Sequence, residues 1–476
     1  MNTSELIGLT ARQAVAGLKC GDFTPVELIE AAMARIEQVD GQVNALPIHC
    51  YERAFEQAEK LDTAAFRDPA RGLFGLPIAV KDYNDVGAVR TTYGSPLYAD
   101  HIAARSDATV AHLERNGAIP IAKANVPEWA GGHTFNPLFG ITRNPWNTDL
   151  SAGGSSGGSA VAVATGMAWL ATGNDLGGSL RTPAGFNGVV GLRPSPGRVP
   201  RGSRLQAFDT LWVEGPMARN VGDVALMLDA AAGYEACDPL SFDDPTSFSA
   251  ALIPEPAPLR IAFSADLGIV PVAREVAQVC ERAVRRFAGD GVEVSDEIPD
   301  FSGVLEAFQT LRAVLLGTMM GPLLETHRDR IAADIVRNIE RGFSLSPQQV
   351  FSAERTRWQL YHKMAAFFEH HDFLLCPSAS IEPFPVQQRY VEEIDGHPCE
   401  TYIDWFSITF ALTMTACPVI VVPCGLTAAG LPVGLQIVGK PRGEYALLAA
   451  AHHFEQLLGF CGQLPIDPRP PRPRPE

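Results

Sequence analysis

The chain has 476 residues, 46% of them hydrophobic and 19% charged, enough apolar content for one large core or two ordinary ones and too much for large-scale disorder. A formal charge of -16 opposes binding to nucleic-acid backbones and anionic membranes, which rests on Lys and Arg contacts; the expected partner is a small molecule or a protein. Nine scattered cysteines with no CxxC pair argue against a disulfide framework and a zinc knuckle.

The start, MNTSELIGLTARQAV, lacks a basic region followed by an apolar core, so a cytoplasmic location is expected. Thr24-Pro25-Val26-Glu27 is a capping box with proline at the first helical position, opening ELIEAAMARIEQVDG, and Gly41 is expected to close that helix. RGLFGLPIAVKDYNDV (71 to 86) reads as a short buried strand, LPIAV, with Lys81 at its end. The segment 107 to 129 repeats the scheme: a helix through Leu113, a stop at Gly117, and a strand IPIA running into Lys123. Short, uniformly apolar strands alternating with helices predict an α/β fold whose sheet is covered on both faces.

Long helical patterns occupy 303 to 325 and 350 to 370. The 35 uncharged positions from Trp405 to Gly439 are cut by Pro418, Pro423, Gly425, Gly430, Pro432 and Gly434, so they read as buried strands (VIVV, VGLQIV) rather than a membrane span. The end, LPIDPRPPRPRPE, is rich in proline and arginine and is expected to lie outside any core.

Three places join a reactive side chain to an unusual backbone. GGSSGGS (153 to 159) has the composition of a flexible linker but sits inside the α/β pattern. GNDLGGSLRTPA (173 to 184) places Ser179 after two glycines, where converging backbone N–H groups of Leu176, Gly177, Gly178 and Ser179 would stabilise a developing oxyanion. The bland reading of this motif is a glycine turn with a helix-capping serine. A serine needs a base. None of the eleven histidines stands in a setting that singles it out. Lys81 can serve if burial makes it neutral, the alternative being a strand-end lysine with its ammonium in water. A lysine base would need a relay, and the hydroxyls of GGSSGGS can supply one.

The run 153 to 184, GGSSGGSAVAVATGMAWLATGNDLGGSLRTPA, resembles the amidase signature motif throughout, and GLFGLPIAVKD, NVPEW with NPLFGITRNPWN, and CPVIVVPCGLTAAGLPVGLQIVG extend the likeness to nearly the whole chain except 235 to 400 and the tail. The character is that of bacterial aryl and acyl amidases. The resemblance implies the amidase signature fold, a central mixed twisted sheet covered by helices on both faces. It implies a Ser-cisSer-Lys triad: Ser179 as nucleophile, Ser155, 24 residues earlier, as bridging serine after a cis peptide bond, and Lys81 as base. Ser156, Asp175 and Arg181 would be structural supports, and Trp129, Ala130 and Gly131 would line the substrate site.

The resemblance implies hydrolysis of an amide, anilide or carbamate of a small apolar or aromatic compound through an acyl-enzyme, with no metal or organic cofactor. The expected organisation is one domain over 1–462, comprising N-terminal helices (1–65), catalytic core (66–235), substrate-pocket region (236–400) and C-terminal strands and helix (401–462). A disordered tail (463–476) would follow, and a homodimer is left open. Two departures stand out, Asn174 where many members have threonine or serine and Ala152 where proline often stands; both are expected to bear on packing or substrate fit and not on the chemistry. Three alternatives remain: the glutaminase component of a tRNA-dependent amidotransferase, an α/β-hydrolase using the GxSxG pattern at Ser155 or Ser156, and an inactive binding protein.

Overall fold

A computed structural model describes residues 1–61, 72–202, 206–244, 247–252 and 259–471. The expected boundary at 65/66 and the last five tail residues lie outside them. Among the described residues, eleven strands form one sheet: β1 (Ile48–His49), β2 (Pro77–Lys81), β3 (Ile119–Ala124), β4 (Leu170–Asp175), β5 (Val190–Arg193), β6 (Val213–Ala218), β7 (Arg260–Phe263), β8 (Glu293–Ser295), β9 (Phe373–Pro377), β10 (Val419–Leu426) and β11 (Pro432–Val438). Their spatial order is β1-β3-β2-β4-β6-β5-β10-β11-β9-β7-β8. Parallel pairs at β2/β3 and β2/β4 adjoin antiparallel ones from β4/β6 to β11/β9, and β9/β7 and β7/β8 are parallel again, so the sheet is mixed. In β2 to β6 every residue is buried; because successive side chains point to opposite faces, both faces must be covered, as the uninterrupted apolar runs predicted.

This topology gathers chemistry at one edge. β2 and β4 are parallel and run out at Lys81 and Asp175. β6 returns antiparallel to β4, which sets Glu214 opposite Asn174. Strand ends, Lys81 and a carboxylate therefore meet at the C-terminal rim of the parallel strands, the place where open α/β sheets bind ligands.

The Thr24–Glu27 capping box forms as expected, with Thr24 Oγ1 accepting from Glu27 N at 3.2 Å and Glu27 Oε2 accepting from Thr24 N at 2.7 Å. Gly41 does not stop that helix, which runs Pro25–Val43 and ends on Asn44 in a left-handed conformation. The Asn44 amide fixes this end by donating to Phe139 O and Ile141 O, long-range partners that outweigh the glycine's weak helix propensity. The apolar 405 to 439 stretch folds as a short helix (Ser407–Thr413) and the paired strands β10 and β11.

The tail corrects its expectation as far as residue 471. Ile466 is buried with Trp146, Leu431 and Phe460, and the Arg469 guanidinium lies 4.4 Å from the centre of the Trp146 ring. Backbone bonds Ile466 N to Ala164 O and Arg469 N to Pro145 O hold the segment down. Prolines fix the chain in an extended form with few donors to satisfy, so one apolar side chain and one stacked cation suffice to dock it.

Candidate active site

Lys81 is wholly buried. Its Nζ lies 2.7 Å from Ser155 Oγ, 2.8 Å from Ser156 Oγ and 2.5 Å from Asn174 Oδ1. The neighbouring strand offers a contrast, for Lys123 is equally buried but pairs with Asp82 at 2.8 Å. Among the described residues Lys81 forms no ion pair. Burial therefore lowers its ammonium to about 7, against the opposing pull of the Glu214 and Asp175 charges.

The glycine-serine loop that reaches Lys81 is tied down at each step. Thr134 Oγ1 donates to Gly153 O at 2.9 Å and accepts from Gly157 N at 3.0 Å, while Thr134 N donates to Gly153 O. Ser156 N donates to Ser179 O at 3.2 Å, joining this loop to the one that carries Ser179. A Cβ on Gly158 would stand 2.4 Å from Asn125 N, so only glycine fits there. The peptide bond Gly154–Ser155 is cis. Before the loop stands Asn147–Ser151, which pairs with Arg143–Asn144 and bridges Pro385 outside the central sheet, and this is not the core strand that a nucleophile elbow requires.

Ser179 is partly exposed, unlike Lys81 and Ser155. It opens the helix Arg181–Asn187 from a turn in which Gly178 has φ 128°, a conformation that favours glycine. One expected oxyanion donor is withdrawn: the Gly178 amide donates to Asp175 Oδ1 at 2.8 Å. Among the described residues the amides of Leu176, Gly177 and Ser179 have no acceptor within the protein.

Asp175 is buried and braced by Arg181 through Nε (2.9 Å) and Nη2 (3.0 Å), and by Arg193 Nη1 (3.2 Å). Burial alone would raise its carboxyl, but the two guanidinium groups hold it well below the usual carboxylate range. Arg181 also reaches Thr409 O, Gln436 Oε1 and Thr413 Oγ1, which ties the turn carrying Ser179 to the helix Ser407–Thr413 and to β11. Arg193 was not singled out from the sequence.

Asn174 overturns its expectation, since it contacts Lys81, the expected base. Its other atom, Nδ2, is buried without a partner. Glu214, also missed, is 2% exposed and accepts from Asn84 Nδ2 and Trp212 Nε1, each at 3.1 Å. Burial raises its carboxyl to about 7 despite the Asn84 bond and the Lys81 charge. A lone charge in the apolar run WVEGPMA is the signal that had marked Lys81, and it could have marked Glu214.

Two cavities take in residues of the expected substrate site. One of about 470 Å³ is lined by Asn174, Glu214, Trp129 and further aromatic rings. The other, about 690 Å³, is lined by Gly131, Gly132, His133 and the 329 to 335 segment. Trp129 and Gly131 thus face different spaces, with Ala130 between them in the turn Glu128–Ala130.

A model of the Amidase family matches residues 27–448. The chain belongs to the amidase signature family. It is 32% identical to an acylamidase of Rhodococcus erythropolis over 98% of this chain and 99% of that protein. It is 34% identical to a glutamyl-tRNA(Gln) amidotransferase subunit of Geotalea daltonii, over 95% and 98%. A bacterial aryl acylamidase of the same family superposes with TM-score 0.86 at 29% identity, over 96% and 99% of the two chains. A structure of 6-aminohexanoate cyclic dimer hydrolase gives 0.85 at 25%, over 96% and 98%. This amidase is accordingly a hydrolase of carbon–nitrogen bonds other than peptide bonds, and family members act on small amides.

Proposed function

We propose that the amidase cleaves the amide, anilide or carbamate bond of a small apolar or aromatic compound through an acyl-enzyme on Ser179. Neutral Lys81 takes the Ser155 proton while Ser155 takes that of Ser179. Ser179 Oγ then bonds to the substrate carbonyl carbon, and the π electrons move to oxygen, facing the amides of Leu176, Gly177 and Ser179. The C–N bond breaks as the proton returns through Ser155 to the leaving nitrogen, and water repeats the cycle to release the acid. Asn174 and Ser156 hold the lysine in place. The observation that carries the reading is a buried lysine with no ion pair among the described residues, its Nζ 2.7 Å from Ser155 Oγ.

The test is a panel of p-nitroanilides, primary amides and carbamates with wild type and Lys81→Ala, alongside fluorophosphonate labelling. A loss of ~10³-fold or more on every substrate is expected, with label on the peptide bearing Ser179. Near-normal turnover by the variant, or labelling elsewhere, overturns the triad. A second reading, ammonia supply from glutamine within an amidotransferase, draws support from the likeness to the Geotalea daltonii protein. Hydrolysis of anilides by the isolated chain, with no dependence on glutamine or a partner, argues against it.

A further inference from the structure

The 470 Å³ cavity begins at Asn174, the residue that holds Lys81, and its composition is uneven. Aromatic rings surround it: Tyr83, Tyr93, Tyr98, Trp129 and Trp212. Tyr93 stacks on Trp129 with ring centres 5.4 Å apart and meets Tyr98 edge-on at 5.1 Å, so three of the rings brace one another. Two carboxylates, Glu214 and Asp107, lie in the same lining, and no lysine or arginine is found among its described residues.

Glu214 is 2% exposed and forms no ion pair among the described residues, receiving only the neutral donors Asn84 and Trp212. One carboxylate oxygen can accept two hydrogen bonds, and each Glu214 oxygen has one such donor. The buried Nδ2 of Asn174 adds a donor with no acceptor in the protein. The space therefore offers aromatic faces, acceptors with spare capacity and one unused donor. A cation set among aromatic faces next to a buried carboxylate is attracted by both, and a polar acceptor such as a carbonyl on the same molecule would satisfy Asn174.

We propose that this cavity binds an ammonium group carried by the amide substrate, with Glu214 as its counter-ion and the Tyr93, Tyr98 and Trp129 rings as its cage. The proposal rests on the amidase chemistry of that reading and changes its substrate class from uncharged apolar compounds to amides that bear a cationic amine a few bonds from the scissile carbonyl. Burial, with a smaller contribution from the Asp107 charge, makes Glu214 reluctant to ionise alone; a bound cation would remove that penalty.

The test compares an acyl p-nitroanilide ending in trimethylammonium with its uncharged isostere ending in tert-butyl, and repeats the pair with the group moved to the amine side. Wild type is expected to favour the charged member in kcat/KM by at least about tenfold in one series. Glu214→Gln should abolish that preference and Tyr98→Leu, at a half-exposed ring, should weaken it. Any general effect of Glu214→Gln on Lys81 acts on both members and cancels in the ratio. Equal ratios in wild type and Glu214→Gln, in both series, overturn the proposal. Calorimetry with Ser179→Ala separates this from failure of the amidase reading: the trimethylammonium amide should bind at least about tenfold tighter than its isostere whether or not the wild type cleaves it, and equal affinities overturn the ammonium site.

Discussion

Lys81 and Lys123 stand at the ends of adjacent parallel strands and are equally buried, yet their surroundings differ by one carboxylate. Asp82 pairs with Lys123 at 2.8 Å. Among the described residues Lys81 Nζ meets hydroxyl and amide oxygens and the face of the Tyr83 ring, 4.8 Å away, with no carboxylate in contact, and burial brings it to about 7 from an ordinary 10.5. A base must be neutral to act, so kcat/KM for an uncharged anilide is expected to rise with pH through about 7. That limb belongs to the coupled pair of Lys81 and Glu214. Glu214 favours the ammonium, so Glu214→Gln should move the limb to lower pH, and an upward shift in the pH–rate profile would contradict the assignment. Stability follows the same shifts with opposite signs. Between about 7 and 10.5 the unfolded chain binds the Lys81 proton more readily, so this group's contribution improves as pH rises through that window. Glu214 is raised from 4.5 to about 7, and its contribution falls as pH rises between those values. From the sequence, the lysine was legible as a charge ending an apolar run. Asn174 was not, because its role depends on β2 and β4 lying side by side, a pairing of residues far apart in the chain.

At the scale of elements, GGSSGGS is a clamped loop, and Thr134 is its main clamp. One hydroxyl serves both Gly153 O and Gly157 N. Thr134→Val keeps the shape and leaves a buried carbonyl short of a donor and a buried amide without an acceptor, at a cost of about 1–3 kcal/mol. The expected outcome is a lower urea midpoint together with a fall in kcat larger than any change in KM, because the loop positions Ser155 and does not contact the distal part of a substrate. A loss of stability with unchanged kcat would show that Ser155 is held by other bonds. Strands and long helices were legible here because burial on both faces writes itself as unbroken apolar runs. Helix ends were less so: Gly41 carries the stop signal, but Asn44 ends the helix through bonds to Phe139 and Ile141 that no local pattern announces.

Across the whole molecule, one sheet draws strands from residue 48 to residue 438, and Ile466 and Arg469 return to pack against Trp146. The cluster of Trp146, Leu431, Phe460 and Ile466 is small and separate from the main core, but it bears on the site. Trp146 Nε1 donates to Asn187 O, and the Asn187 amide donates to Ala152 O at 2.8 Å, one residue before the glycine-serine loop. Proline and arginine content concealed this, since a single isoleucine is too faint a signal beside six prolines in thirteen residues. Ile466 is 7% exposed, and Ile466→Ala should lower unfolding stability by about 2–4 kcal/mol through lost burial and the cavity left behind. The Asp467 end of its ion pair with Arg35 is mostly exposed, so Asp467→Asn should change stability by less than about 1 kcal/mol. Urea denaturation of both variants separates the two contributions. With kcat measured well below the midpoint, Ile466→Ala is expected to retain activity, because Asn187 also binds Pro183 O at 2.7 Å and the helix that follows Ser179 holds it in place. A midpoint unchanged in Ile466→Ala would mean that the docked tail adds nothing to the fold, whereas a destabilised variant with lost kcat would place the tail among the supports of the serine loop.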